Sequence, residues 1–221
     1  GTNMLAPLTA GVLTHLISGY GPQAVAAFGV GTRIESLAMI GVMALSSVLT
    51  PFVGQNSGAA KIERLQQSIA FGIRFALIWG VSACLLLLLT ATPIARLFSD
   101  DPRTIELATQ YLWIVPLSYL GYGMITLGSA IFNAFHQPQQ AAKLVLIRLL
   151  ILTLPLAYLG SYLWGLVGIF AGIAAANLLA GGYSFSALGS KRRLLADKLK
   201  TEPRKPDSQR LNSASSKELP R

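Results

Sequence analysis

The chain has 221 residues, 52% hydrophobic and only 12% charged, with a mean hydropathy of +0.54. A soluble domain carries roughly 25% charged residues, so this composition excludes an ordinary water-facing surface and reads as an integral membrane protein. The net charge of +9 is concentrated at one end: Ser190 to Arg221 holds ten Lys/Arg against four Asp/Glu, and the rest holds eight against five. That tail has no aromatic residues for base stacking, so it reads as a cytoplasmic topology anchor, and no nucleic-acid partner is expected.

The apolar runs are continuous and longer than the alternating stretches of ~10 residues that make membrane strands. The fold class is therefore all-α and polytopic. The chain opens Gly1-Thr-Asn-Met, with no start methionine and no signal pattern, and is expected to be a fragment. The first apolar segment runs from about Asn3 to Tyr20 and ends at Gly19, Gly21 and Pro22. Next comes Phe28-Gly-Val-Gly-Thr-Arg-Ile-Glu-Ser, read as a glycine-rich turn carrying Arg33 and Glu35. It leads into the second span, Ile34 to Val53, which fits the ~20 apolar residues needed to cross a bilayer. Pro51 cannot donate a backbone hydrogen bond and crowds the carbonyl of Ser47. Ser46, Ser47 and Thr50 are the hydroxyls available to that carbonyl.

Gly54 to Gln67 reads as a polar connection with Lys61, Glu63 and Arg64. The third span is Ser68 to Ala91, with Arg74 near its start and Pro93 closing it. The fourth, about Gln110 to Asn133, contains Pro116 and then Gly121, Gly123 and Gly128, small residues that let membrane helices approach and bend. The fifth, about Lys143 to Leu159, contains Arg148 and Pro155. The sixth runs from about Trp164 to Leu188 with Asn177 in its middle. Tyr158, Tyr162 and Trp164 form an aromatic band at the short turn between these two. Residues 1–189 are thus one six-helix lobe, and residues 190–221 a basic tail, disordered beyond its first turn. The excess of Lys/Arg beside the second-to-third and fourth-to-fifth connections and in the tail places that side, with the C-terminus, in the cytoplasm.

Charged groups at membrane depth are functional candidates. Glu35 at the outer mouth of the second span could hold a proton or cation or attract a cationic substrate; the alternative is a surface carboxylate paired with Arg33 or Arg103. Arg148 and Arg74 are explained most simply by snorkelling to the headgroups. Asn177, Asn133 and Asn3 could bond a substrate, or join helices at about 0.6 kcal/mol per bond. Tyr119, Tyr122 and Met124, near Pro116, could line a pocket for an apolar cation or could pack the core. His15 is read as a hydrogen-bonded packing residue. Cys84 has no cysteine partner, and no metal ligand cluster is visible. Nucleophile elbow, phosphate-loop and zinc motifs are missing, so an enzyme is not expected.

Five stretches in order carry a resemblance: Ala26-Ala-Phe-Gly-Val-Gly-Thr-Arg-Ile-Glu-Ser-Leu37, Thr50-Pro-Phe-Val-Gly-Gln-Asn-Ser-Gly-Ala59, Ile131-Phe-Asn-Ala-Phe-His-Gln-Pro138, Leu149 to Gly160, and Gly165-Leu-Val-Gly-Ile-Phe170 with Asn177. Over about residues 3 to 188 the chain resembles the multidrug and toxic compound extrusion (MATE) transporters, the bacterial DinF-like branch in particular, and it resembles their second half. The resemblance implies helices seven to twelve of a twelve-helix, two-lobe inner-membrane antiporter, with the N-terminal six-helix lobe missing. It implies export of drugs, toxins and other organic cations in exchange for protons or Na+, with no other cofactor. Some relatives carry acids in the seventh and tenth helices; the matching stretches here, Asn3 to Tyr20 and Gln110 to Asn133, hold none. In the DinF-like branch, coupling is associated with an aspartate of the first helix, outside this chain. Glu35 is then the only family-type acid in the lobe, and the coupling ion stays open. Pro51, Pro116 and Pro155 are the expected bending points. The alternatives are a flippase-like exporter of lipid-linked substrates, which would want a more basic cavity, and a non-transporting truncated fragment.

Overall fold

A computed structural model describes residues 4–59 and 61–201. Asn3 and the tail beyond Thr201 lie outside the described residues. The elements are α1 (Leu5–Ser18), α2 (Pro22–Ala38), α3 (Ile40–Gly58), α4 (Ile62–Phe98), α5 (Pro102–Ile114), a 3-10 turn (Val115–Ser118), α6 (Tyr119–Ala134), α7 (Pro138–Leu146), a π-helical segment (Ile147–Thr153) and α8 (Leu154–Thr201). They form six membrane helices: α1, the bent pair α2–α3, α4, α5–α6, α7 with the first part of α8, and the rest of α8. Among the described residues there is no strand.

Two sequence boundaries are corrected. The stretch from Phe28 to Ser36 is no turn but the body of α2, which starts with Pro22 in its first turn after Gly21 at φ 102°. The chain bends later, by 44° at Met39, between α2 and α3. Gly29 and Gly31 therefore serve packing, the common role of glycine in membrane helices. Pro93 does not close α4, which continues to Phe98.

The three prolines differ in what surrounds them. Pro51 lies inside α3, which runs unbroken past it. Thr50 and Ser47 do not serve the Ser47 carbonyl; their hydroxyls donate to Ser46 O (2.8 Å) and Met43 O (3.0 Å). Pro116 sits in the 3-10 turn, and the Ser118 hydroxyl donates to Val115 O at 2.7 Å. Pro155 follows the π segment, where the Thr153 hydroxyl takes up the Arg148 carbonyl five residues back, at 2.7 Å. π segments are rare and cluster at functional sites. The fifth and sixth helices part at Trp164 and Gly165, the latter at φ 61°, a conformation that favours glycine. Tyr158, Tyr162 and Trp164 are all exposed there. The last helix continues past Ser190 to Thr201, so the expected start of the tail falls within a helix.

At the α4–α5 connection Asp101 caps α5. Its carboxylate accepts from the Thr104 backbone N–H (2.8 Å) and hydroxyl (2.6 Å), and these bonds hold its pKa below the usual carboxylate value.

Two apolar clusters fill the interior. One joins Ile17, Phe28, Tyr111, Leu112 and Phe170. The other joins Val53, Ile69, Leu127, Ile131 and Leu188. Along α5–α6 the first cluster ends at Tyr119 and the second starts at Met124; along α8 the corresponding residues are Ile173 and Ala180. Tyr122 and Asn177 fall at this seam, and Ser118, beside Tyr119, borders it. Arg148 falls there as well, between Leu144 of the second cluster and Ala157 of the first.

Candidate functional site

One face of α2 carries Phe28, Gly31 and Glu35, spaced three and four residues apart. Tyr111 of α5 lies across that face, buried, with its ring edge-on to Phe28 (6.0 Å between centroids) and to Phe170 of α8 (5.1 Å). Its hydroxyl donates to Glu35 Oε2 at 2.9 Å. A hydrogen bond to a charged group contributes about 1.5–3 kcal/mol. Gly31 makes the approach possible, because a Cβ there would collide with the Tyr111 ring. Gly29, two residues away, has open space around its Cβ direction. We therefore expect Gly31→Ala to lower the thermal stability of detergent-solubilised protein, an overpacking cost of about 1–3 kcal/mol. Gly29→Ala should be neutral or stabilising by up to about 1 kcal/mol, from helix propensity alone. Equal behaviour of the two variants would contradict the packing described.

Glu35 is half-buried and is not paired at the surface. Arg33 points out to an exposed position, and Arg103 bonds Glu106 at 2.6 Å. The partner that matters electrostatically is Arg148, whose charge attracts that of Glu35. Arg148 does not snorkel. Its Nε donates to Asn177 Oδ1 at 2.8 Å, and its guanidinium carbon stands 3.9 Å from the centre of the Tyr122 ring. Asn177, fully buried, donates from Nδ2 to Ser118 Oγ at 3.1 Å. Ser118 and Tyr122 are four residues apart and so share a helix face, which lets one arginine and one asparagine from two other helices meet both. Gly121 permits this crossing: a Cβ there would strike the backbone of Asn177.

Tyr119 is also buried, with a hydroxyl that has no hydrogen-bond partner. It stands within electrostatic reach of Glu35 and Tyr122. A buried polar group left without a partner costs about 1–3 kcal/mol, so this hydroxyl is available to a polar guest. An acid, a guanidinium, an amide and three phenols thus converge at the seam of an apolar bundle.

Of the residues singled out in the sequence, Glu35, Tyr119, Tyr122 and Asn177 come together here. Met124 does not: two residues from Tyr122, it turns to another face and packs at 2% exposure in the second apolar cluster. Asn133 and His15 are exposed. Sequence reasoning missed Tyr111 and Ser118. The signal that could have found Tyr111 is the Phe28–Gly31–Glu35 stripe, whose central glycine asks for a large partner.

The MatE family profile matches residues 1–159. The chain belongs to the MatE family. Among curated MatE relatives, the FAD transporter of Shewanella oneidensis is 38% identical over 179 residues, covering 81% of this chain and 40% of that protein. The multidrug export protein MepA of Staphylococcus haemolyticus is 25% identical over 197 residues, covering 88% and 43%. The crystal structure of the Vibrio cholerae MATE transporter VcmN in the bent form superposes with a TM-score of 0.84 at 29% identity, over 88% of this chain and 44% of that one. The chain thus spans less than half the length of each of these three proteins. Proteins of this family are transporters rather than enzymes, and the apolar helices place the chain in a membrane as a multi-pass protein.

Proposed function

We propose that the chain works as the C-terminal six-helix lobe of an inner-membrane exporter, which moves amphipathic organic solutes by rocking against an N-terminal lobe. Protons or Na+ drive the exchange, and the C-terminus faces the cytoplasm, as the Lys/Arg excess beside the α3–α4 and α6–α7 connections favours. The observation that carries this reading is Glu35, a carboxylate held half-buried inside the lobe by Tyr111 and facing the charge of Arg148. Ionisable groups in such positions line substrate and ion pathways. Pro116, in its 3-10 turn, and Pro155, after the π segment, supply the bending points.

A second reading is favoured by Arg148. A guanidinium stacked on a phenol ring suits a planar aromatic anion better than an organic cation. The 38% identical relative named an FAD transporter supports the same direction. The two readings separate in proteoliposomes carrying the protein from its complete reading frame. Uptake of ethidium and of FAD would be followed under imposed pH and Na+ gradients, with Glu35→Gln beside the parent. The primary reading expects ethidium transport that Glu35→Gln reduces at least tenfold. FAD transport with no ethidium transport would establish the second reading, and unchanged transport by Glu35→Gln under every gradient would remove Glu35 from the mechanism.

A further inference from the structure

The outer face of α4 carries a feature that the seam does not use. Phe71, Phe75 and Trp79 are spaced four apart and form an aromatic stripe, with centroids 6.3 Å apart for the first pair and 5.7 Å for the second. Trp79 is fixed in place. Its Nε1–H donates to the carbonyl of Ala38 at 2.7 Å, at the bend between α2 and α3, and its ring fills the space beside Gly41 that a Cβ would occupy. Two apolar hollows of about 400 Å³ each adjoin it. One lies around Phe71, Arg74, Phe75 and Ile78. The other lies between α2 and α4, against Ile34, Leu37, Ala83 and Leu87, and continues to Ile94 and Phe98 at the far end of α4. Both are walled by Trp79 and Ser82, so they lie end to end along α4 and are together called the channel.

The channel has a charged mouth. Arg74 is exposed and, among the described residues, makes no ion pair. It stands on the side of the lobe where Lys61 and Arg64 flank the membrane. From Arg74 to Leu87 the helix rises about 20 Å at ~1.5 Å per residue. One leaflet, headgroups included, is about 20–22 Å thick. The charge therefore sits at headgroup depth when the hollows as far as Leu87 span that leaflet's acyl region, and the part at Ile94 and Phe98 lies beyond that leaflet. A cationic solute would be repelled at the mouth, and a zwitterionic lipid would offer a phosphate whose charge its own ammonium offsets, so a lipid of net negative charge answers the guanidinium best.

We propose that this channel is a binding site for an anionic phospholipid of the leaflet that meets the α3–α4 connection. Its phosphate lies at Arg74, and one acyl chain runs past Phe75 and Trp79 into the hollow between α2 and α4. Because Trp79 also bonds Ala38, the bound chain touches the ring that closes the α2–α3 bend. The proposal concerns the lobe's lipid-facing surface and does not depend on which solute is carried.

The test uses the protein from its complete reading frame in nanodiscs, with phosphatidylglycerol or phosphatidylcholine bearing a photoreactive group in the acyl chain. Phosphatidylglycerol should label the peptide covering residues 79–87. It should do so about fivefold more than phosphatidylcholine, the factor that one Lys/Arg near an anionic lipid surface contributes. Arg74→Gln should erase that preference, whereas Arg96→Gln, an exposed arginine at the other end of α4, should keep it. Ala83→Trp should fill the hollow and reduce labelling by both lipids. Equal labelling of the parent by the two lipids, or labelling confined to other peptides, would overturn the proposal. So would protection of residues 79–87 from both lipids by another protein segment.

Discussion

Arg148→Met should leave a protein that still inserts but has lost both stability and transport. The guanidinium makes one charge-assisted hydrogen bond, to Asn177, and one cation–π contact, to Tyr122. The hydrogen bond alone is worth about 1.5–3 kcal/mol, and a desolvated cation–π contact adds up to about 2 kcal/mol. Removing Arg148 also leaves Glu35 facing an apolar interior without its attracting charge, and an uncompensated charge at membrane depth is costly. The expected result is a clear fall in the temperature at which half the detergent-solubilised protein leaves the monodisperse peak, with transport reduced more than tenfold. Arg148→Lys should recover the attraction to Glu35 but not the planar stack, and so should fall between. The decisive comparison is the double variant Glu35→Gln/Arg148→Met. If the two charges attract each other across the seam, deleting both should be less damaging to stability than deleting Arg148 alone. Additive losses would show that Arg148 acts through Asn177 and Tyr122 only.

The same arginine shows where reading a sequence stops. Arg148 lies inside an apolar run, which marks it as costly, but the run does not say which way the side chain goes. A helix near its membrane end can send an arginine outward to the headgroups or inward to a neighbour, and the two choices look alike along the sequence. Here the direction comes from the π segment Ile147–Thr153, which precedes Pro155, together with an amide supplied 29 residues later by another helix. Neither is a local pattern. The long apolar helices, by contrast, were legible from Ser68 to Ala91 and from Trp164 to Leu188, because sustained hydrophobicity in one window is sufficient evidence for a membrane helix. The aromatic turn at Trp164 and Gly165 was legible for the same reason: polar-tipped rings and a glycine interrupt the run. Glu35 was singled out as an unusual acid, yet its surroundings were misread. Gly29 and Gly31 suggested a turn, as they would in water, whereas in this bundle they sit within a helix and Gly31 admits an aromatic ring.

Glycine also sets the second large expectation. Gly160 and Gly168 lie on the two helices that meet after the Trp164–Gly165 break, and each backbone occupies the space that a Cβ on the other would need. Gly172 has the same relation to the backbone of Leu156. Close backbone approach through small residues is how membrane helices gain packing energy without a hydrophobic driving force. A side chain at such a point cannot be relieved by a rotamer change, because the atoms in its way are main-chain carbonyls. The helices must separate along their length, and the contacts of Phe170 with Tyr111 and of Asn177 with Arg148 lie on the helix that would move. Gly168→Val should therefore cost more than the about 1–3 kcal/mol of ordinary overpacking and should lower the yield of folded protein sharply. Gly182→Val, on the same helix but with open space around it, should be neutral or stabilising by well under about 1 kcal/mol, from helix propensity alone. The measurement is the fraction of expressed protein recovered as a monodisperse species, together with its thermal midpoint. If Gly168→Val and Gly182→Val gave equal yields, the crossing would not be as tight as described, and the seam residues would have to be held in place by something other than this helix pair.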